Sequence, residues 1–479
     1  MISMAESYQV KPDQREVVPE GQDSPLPRVH PGTSGTDWVM VSLLLMCILL
    51  RVITWTVCLP TNRHADSEEY AALAYRFMTH DFRKYSADRT PVYSFLLLAT
   101  KFDYRAVWFI QNILGIATSL LLYALAKEQT RKRGLAFLAG ASNSIFLNQL
   151  MFEPFVMTET LAAFFLVLTL FLSHRFCRDC DPGQGASHAL LLHLGVVLGL
   201  AALLRPLFVY LPIVFGAYVW AESAETKSRL RQRVPLVARV VLPALLLVLG
   251  WSAFNYVQAG YFGLTALGGY SLTNHSGAFM ELAPDRYATI RDLYLHYRKI
   301  QIAAIGNNTG TIWKAYPYIL QATGYSYVQL SRELTRLSLW LFVHHPLLYF
   351  RHVGLSLRRF WTPVFYQPTL RTNAASVKAG LVMIWSVQGP FLNCVYFVFF
   401  AATLHSLFPF LTHKPRRSVK FLYLPMALIV SGCLVQALVE FGENGRYAIP
   451  YQSLLILVIC NWLVAEFRGG KRMAKKVLE

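Results

Sequence analysis

Residues 227–254 read KSRLRQRVPLVARVVLPALLLVLGWSAF. Lys227, Arg229, Arg231 and Arg233 open the stretch, and Arg239 is the last charge before an apolar run that reaches Phe254. The run from Leu236 to Phe254 has the length an α-helix needs to cross the hydrocarbon of a bilayer, about 20 residues. A cluster of bases at one end of such a run marks the cytoplasmic end of a membrane span. The pattern recurs along the chain, and the spacing predicts spans near 38–58, 104–126, 135–151, 156–173, 189–204, 206–221, 236–254, 381–411, 421–440 and 447–466. With 54% hydrophobic and 15% charged residues in 479, the composition excludes a soluble enzyme, for which about 25% charge is usual.

The remaining charges give the orientation. With the N-terminus inside, the cytoplasmic connections and tail hold 20 bases: Lys127, Arg131, Lys132, Arg133, Arg175, Arg178, Lys227, Arg229, Arg231, Arg233, Arg239, Lys414, Arg416, Arg417, Lys420, Arg468, Lys471, Arg472, Lys475 and Lys476. The short connections on the other side hold only Arg205 and Arg446. Positive residues stay inside, so both termini are expected in the cytoplasm. The net charge of +18 is thereby spent on orientation and is no argument for nucleic acid.

Two outer connections, 59–103 and 255–380, are long and exempt from the charge rule. The first contains a helix-like acidic stretch, His64 to Phe82; the second has amphipathic stretches near 285–303, 325–343 and 345–361. Long connections with their own secondary structure are usually functional elements. The expected organisation is a disordered leader (1–36), an N-terminal membrane module (37–254), a large outer loop region (255–380), C-terminal spans (381–466) and a basic tail (467–479). The leader is polar and rich in proline, and lacks the apolar run of a signal peptide. Cys177 and Cys180 have C-x-x-C spacing beside His174, but no second pair to complete a zinc site; reduced thiols are the better reading.

The outer loops carry the chemistry-bearing residues. Asp66, Glu69 and Tyr70 are spaced to share one face of a helix that starts just after the first span. A carboxylate there can act as base toward a hydroxyl; Asp66 as N-cap with Glu69 three residues on is also a capping box. Arg89 precedes Thr90-Pro91 at a turn, where it can bind a phosphate or snorkel to headgroups. Arg205 and Arg446 lie on the side where topology asks for no base, which makes them functional candidates.

In combination these residues resemble a known family. D-x-x-x-Y-x-x-x-A from Asp66 to Ala74, R-x-P-x-Y from Arg89 to Tyr93, Glu153-Pro154 with Glu159, Gly199 to Arg205-Pro206, Asn255 with Gly260 and Phe262, His345-Pro346 with Arg358 and Arg359, and Arg446-Tyr447 with Pro450 follow one another along the chain. Their order is similar to that in the GT-C glycosyltransferases, nearest the group of aminoarabinose transferases and protein O-mannosyltransferases. The resemblance implies an all-α polytopic membrane protein of GT-C fold, with about ten transmembrane helices and two long extracytoplasmic loops carrying amphipathic helices. It implies transfer of a sugar from a polyprenyl phosphate donor to a hydroxyl acceptor, a glycolipid, polysaccharide or protein, on the extracytoplasmic face and with inversion. The overall pattern looks bacterial, so the expected location is the inner membrane.

On that reading Asp66 is the catalytic base. Glu69, Tyr70, Glu153 and Glu159 face the acceptor. Arg89, Arg205 and Arg446 bind the donor phosphate, with Lys84, Arg358, Arg359 and His275 behind them. Glu153 can join Asp66 in binding the acceptor or a divalent metal ion through oxygen ligands; the pattern names no cofactor beyond that. Tandem histidines, His344 and His345, sit between amphipathic stretches that form a lateral gate or lie in the headgroup plane. A transporter or flippase of lipid-linked saccharides is the alternative, and it calls for charges inside the spans. Asn274-His-Ser and Asn307-Asn-Thr are glycosylation sequons in the large loop.

Overall fold

A computed structural model describes residues 36–60, 64–179, 185–225, 230–371, 375–412 and 420–478. The chain is helical almost throughout. In order the helices are α1 (Trp38–Val57), α2 (Ala65–Thr79), α3 (Pro91–Ala99), α4 (Tyr104–Thr130), α5 (Arg133–Ile145), α6 (Leu147–Leu150), α7 (Glu159–Asp179), α8 (Gly185–Leu204), α9 (Leu211–Glu225) and α10 (Leu230–Ala259). After these come α11 (Gly268–Ser276), α12 (Ala288–Ile305), α13 (Thr311–Thr323), α14 (Tyr327–His344), α15 (Pro346–Phe360), α16 (Ala375–Thr412), α17 (Lys420–Val439), α18 (Asn444–Ala448) and α19 (Gln452–Leu478). Cys58 and Leu370 form an isolated β-bridge. Met1–Trp38 and Val39–Glu479 are separate units, and the site lies in the second.

Among the described residues eight helical segments are long and apolar enough to cross a membrane, and the protein is read as an integral membrane protein. Ten spans were expected. The two outside the eight are α5 and α8. The apolar run 135–151 does not stay helical: α5 is 13 residues long and ends where Phe146 turns to extended backbone (φ −65°, ψ 114°) before the single turn of α6. In α8 the apolar part, His188–Leu204, is shorter than the other eight. Of the bases counted for orientation, Lys227, Arg229, Lys414, Arg416 and Arg417 lie outside the described residues, as does Cys180 of the C-x-x-C pair and all but the last residue of the expected leader.

Close packing in the bundle relies on small residues. A Cβ on Gly195 would stand 2.5 Å from the Val240 carbonyl oxygen, and one on Gly199 3.0 Å from Cα of Ala244. With glycine at both positions the α8 and α10 backbones come together, as small residues allow where lipid supplies no hydrophobic drive. The buried bundle core runs through Leu43, Leu122, Leu166, Leu198, Phe215, Val240 and Leu428.

The large loop region carries a core of its own, with Tyr270, Met280, Tyr294, Ile312, Ile319, Leu330, Leu334 and Leu337 at its centre. The three amphipathic stretches read in the sequence are α12, α14 and α15; α11 and α13 are additional. Local chemistry explains the ends. Ser326 caps α14 by accepting from Gln329 N, and the Gln329 side chain returns to Ser326 N, a complete capping box. Pro346 opens α15 at a first-turn position that needs no N–H donor.

Candidate active site

The site gathers where α2, the turn before α3, the starts of α7 and α18, and the loop after α8 converge. α2 starts at His64, whose extended backbone and ring nitrogen cap the helix, with Ser67 completing the box. The expected cap, Asp66, lies inside the first turn instead. Capping by His64 leaves the Asp66 carboxylate available, and two guanidiniums take it: Arg89 Nη2 at 2.8 Å from Oδ1 and Arg446 Nη2 at 2.9 Å from Oδ2. Arg89 also pairs with Glu69 at 2.5 Å and lies over the Tyr70 ring, 5.0 Å from its centroid. Thr90, extended before Pro91, delivers Arg89 into this position.

Arg446 is the hub. Besides Asp66 it meets Glu443 at 3.0 Å and Glu159 at 3.3 Å, and its Nη1 lies 3.3 Å from His64 Nδ1. Arg205 pairs with Glu159 at 2.6 Å and donates from Nε to Thr158 Oγ1 at 2.8 Å. Arg205 and Arg446 both face the Tyr447 ring, at 5.5 and 5.2 Å from its centroid. Glu159 is in ion-pair contact with both arginines but receives no aligned hydrogen bond, and Arg446 Nε likewise donates none. Buried polar groups are rarely left so.

Burial works against the charge on Asp66, but the Arg89 and Arg446 guanidiniums hold its carboxyl below the usual range. Glu69 goes the other way: burial outweighs its bond to Arg89 and raises it. Glu443 is lowered against the cost of burial by hydrogen bonding to His64 and by Arg446. Behind the turn that carries Glu443 and Arg446, burial of its carboxyl pushes the half-buried Glu440 up to about 7, although Ser271 and Asn274 hydrogen-bond to it.

Asp66, Glu69, Tyr70, Glu159, Arg89, Arg205 and Arg446 are thus brought together. Others are not. Glu153 is 2.5 Å from Arg51 of α1, both side chains almost wholly buried, so it joins neither an acceptor face nor a metal pair with Asp66. Gly115 makes this possible, because a Cβ there would collide with both partners. No cluster of three or more His, Cys, Asp or Glu side chains suited to a metal occurs among the described residues. Glu159 is only 1% exposed and closed off by its arginines, and Tyr70 is buried beneath Arg89 and against Tyr93; neither is open to an acceptor.

Lys84 and Arg358 are exposed, and Lys84 only lends its carbonyl to Arg76. Arg359 lies over the Phe441 ring and donates to Thr309. His275 is fully buried, its Nδ1 3.3 Å from that of His352. Burial and the facing His352 push it down to about 3, so it offers a phosphate no charge. Asn274, in the first sequon, is buried and donates to Glu440 at 2.7 Å. Sequence reasoning missed Arg51, a lone arginine within an apolar run, and gave His64 no role. Glu443, three residues before Arg446, pairs with it.

Residues 88–277 match the family model described as dolichyl-phosphate-mannose-protein mannosyltransferase. That segment is about two fifths of the chain and holds Arg89, Glu159 and Arg205 of the cluster, and the match bears out the resemblance drawn from the motifs. Asp66, Glu443 and Arg446 lie outside the mannosyltransferase-like segment. No curated protein sequence matches significantly. Among solved structures the chain is similar to the archaeal oligosaccharyltransferase AglB from Archaeoglobus fulgidus in complex with an inhibitory peptide and a dolichol-phosphate. The identity is 15%, the coverage 92% of this chain and 51% of that one, and the TM-score 0.46. The Archaeoglobus fulgidus oligosaccharyltransferase tethered by a disulfide to an acceptor peptide with an NVT sequon gives 16%, 88%, 49% and 0.47. The chain spans about half the length of these enzymes.

Proposed function

We propose that the protein is a membrane glycosyltransferase of the GT-C type that moves a sugar from a polyprenyl phosphate to a hydroxyl acceptor on the extracytoplasmic face, with both termini in the cytoplasm. The observation that carries this reading is the convergence of Arg89, Arg205 and Arg446 on Asp66 and Glu159 beside apolar helices. A polyprenyl tail needs hydrocarbon, its phosphate needs fixed cations at the interface, and the acceptor needs a base.

The arginines stand already paired with acids. Without a ligand, buried guanidiniums need counter-charges, since an unpaired buried charge costs several kcal/mol, on the order of 3 to 5. The donor phosphate therefore acts by exchange: as it draws Arg446 and Arg89 to its oxygens, the Asp66 carboxylate loses the partners that depress its basicity. Arg446 Nε, which donates to nothing, gains an acceptor. Asp66 then takes the proton of the acceptor hydroxyl as its oxygen bonds to the anomeric carbon. The bond from that carbon to the phosphate oxygen breaks, and the growing charge on the phosphate falls to the arginines. Glycolipid, polysaccharide and protein hydroxyls are all chemically suited acceptors.

The test is transfer by the purified protein in lipid nanodiscs, offered dolichyl- and undecaprenyl-phosphate sugars with membrane extracts as acceptors. Asp66→Asn is expected to lose about 100-fold or more of the rate while keeping the donor. Undiminished transfer removes Asp66 from the base role, and absence of any polyprenyl phosphate binding overturns the whole reading. The buried Arg51 and Glu153 are the intramembrane charges a flippase would use, so movement of the lipid-linked sugar across the bilayer without transfer would decide for that alternative.

A further inference from the structure

The proton taken by Asp66 must leave a site closed by three arginines. We infer that His64 and Glu443 are its outlet, an inference that rests on the transfer reading above. His64 Nδ1 faces two donors, the Asp66 backbone N–H at 3.5 Å and Arg446 Nη1 at 3.3 Å, so it presents its lone pair. Its Nε2 lies 3.4 Å from Glu443 Oε1, which places the ring proton there. The ring is thus a neutral imidazole with its open nitrogen 3.8 Å from Asp66 Oδ2 and its N–H on a second carboxylate. Glu443 is 41% exposed at its side chain against 22% for Asp66, so the chain of groups runs from the closed end of the site to water. Tyr366 meets the ring edge-on, with centroids 6.3 Å apart, and limits its rotation.

A local rule is broken to put histidine here. Ser, Thr, Asp and Asn are the usual helix N-caps, and each would accept from the first turn at least as well. The imidazole adds what they lack, two nitrogens that bind and release protons at opposite ends. In the step the acceptor O–H breaks and its proton binds Asp66 Oδ2. Arg446, drawn to the donor phosphate, leaves Nδ1 free to take that proton as the Nε2 proton passes to Glu443 and on to solvent. After the products leave, water reprotonates Nε2 by way of Glu443 and takes the Nδ1 proton, so that one proton in all reaches solvent and the starting tautomer returns. The charged groups facing His64 are Asp66 from α2 and Glu443 and Arg446 from the turn into α18; Tyr366 faces it from the segment before α16. His64 is on this account a positioning and relay residue acting through Asp66.

The experiment uses the full chain in nanodiscs, with dolichyl-phosphate-mannose as donor and water as the acceptor hydroxyl. His64→Asn keeps a good N-cap and His64→Ala does not, so the pair separates capping from proton transfer. Both are expected to slow sugar release about tenfold or more. Both should flatten the acid side of the pH–rate profile and leave dolichyl phosphate affinity unchanged. Added imidazole should restore His64→Ala in part. A His64→Asn enzyme with the wild-type rate and pH profile overturns the relay. A wild-type protein that binds no dolichyl phosphate overturns the transfer reading instead, and a second measurement then still decides the geometry. In 15N-histidine spectra, the resonance missing from His64→Asn is expected as the Nε2–H tautomer and should titrate differently in Asp66→Asn and Glu443→Gln. An Nδ1–H tautomer, or a titration blind to both changes, overturns the relay independently of activity.

Discussion

At the scale of single residues, Arg446 shows what one guanidinium does that an ammonium cannot. It meets Asp66, Glu159, Glu443 and His64 from one planar group, and lysine has one point charge to offer them. Arg446→Lys is expected to raise the KM for donor and lower kcat, together about 100-fold in kcat/KM, checked by steady-state transfer. Arg358→Lys, on an exposed side chain, should leave both unchanged. Arg205 and Arg446 were legible in the sequence because the charge pattern asks for no base in the short connections that hold them, and Asp66 and Arg89 by their helical spacing and their place before Pro91. What each arginine pairs with was not legible. Arg446 and Asp66 are 380 positions apart, and no local spacing encodes that contact. Glu153 misled for the same reason, its partner Arg51 lying in a helix where a base was read only as part of an apolar run.

At the scale of helices, the α8 and α10 contact is the place where a small change should be felt most. A side chain at Gly199 meets the backbone of α10, which cannot yield as a flexible side chain can. Gly199→Leu is expected to destabilise by about 2 kcal/mol or more, read as a fall in thermal unfolding temperature in detergent. Gly250→Leu is the control, because a Cβ there meets open space. Hydropathy located all eight long apolar helices, but a run of apolar residues does not reveal where the backbone leaves the helix. The break at Phe146 is such a point. The amphipathic stretches of the large loop were legible because their apolar faces repeat at helical spacing. Helices α11 and α13 are short and mixed in composition, and sequence reading passed over them.

At the scale of the whole molecule, Glu440 joins the large loop to the bundle. Its carboxyl accepts from Asn274 of α11, and its carbonyl accepts from Ser356 of α15 at 2.8 Å and from Asn444 at 3.0 Å. Burial raises its pKa from 4.5 to about 7. The folded state therefore holds this proton over a range where the unfolded chain has lost it. The contribution is full below 4.5 and is lost as pH rises to about 7. Glu440→Gln is expected to remove that fall, so that its unfolding temperature changes less than that of the wild type between pH 5 and about 7.5. The proposed orientation makes a separate prediction: a cysteine placed in the basic tail should react with an impermeant maleimide only after the cells are opened.

The ion pair of Arg51 with Glu153 also bears on how the chain is made. Its two halves are 102 residues apart, and at a synthesis rate of roughly 5 to 20 residues per second α1 must wait about 5 to 20 seconds for its counter-charge. For that interval the nascent helix offers lipid an arginine that has no partner, which favours holding it at the insertion machinery until the segment with Glu153 arrives. Release of α1 is thereby tied to completion of the next helices. Glu153→Ala should accordingly show first as a chain degraded before assembly, visible in pulse–chase labelling.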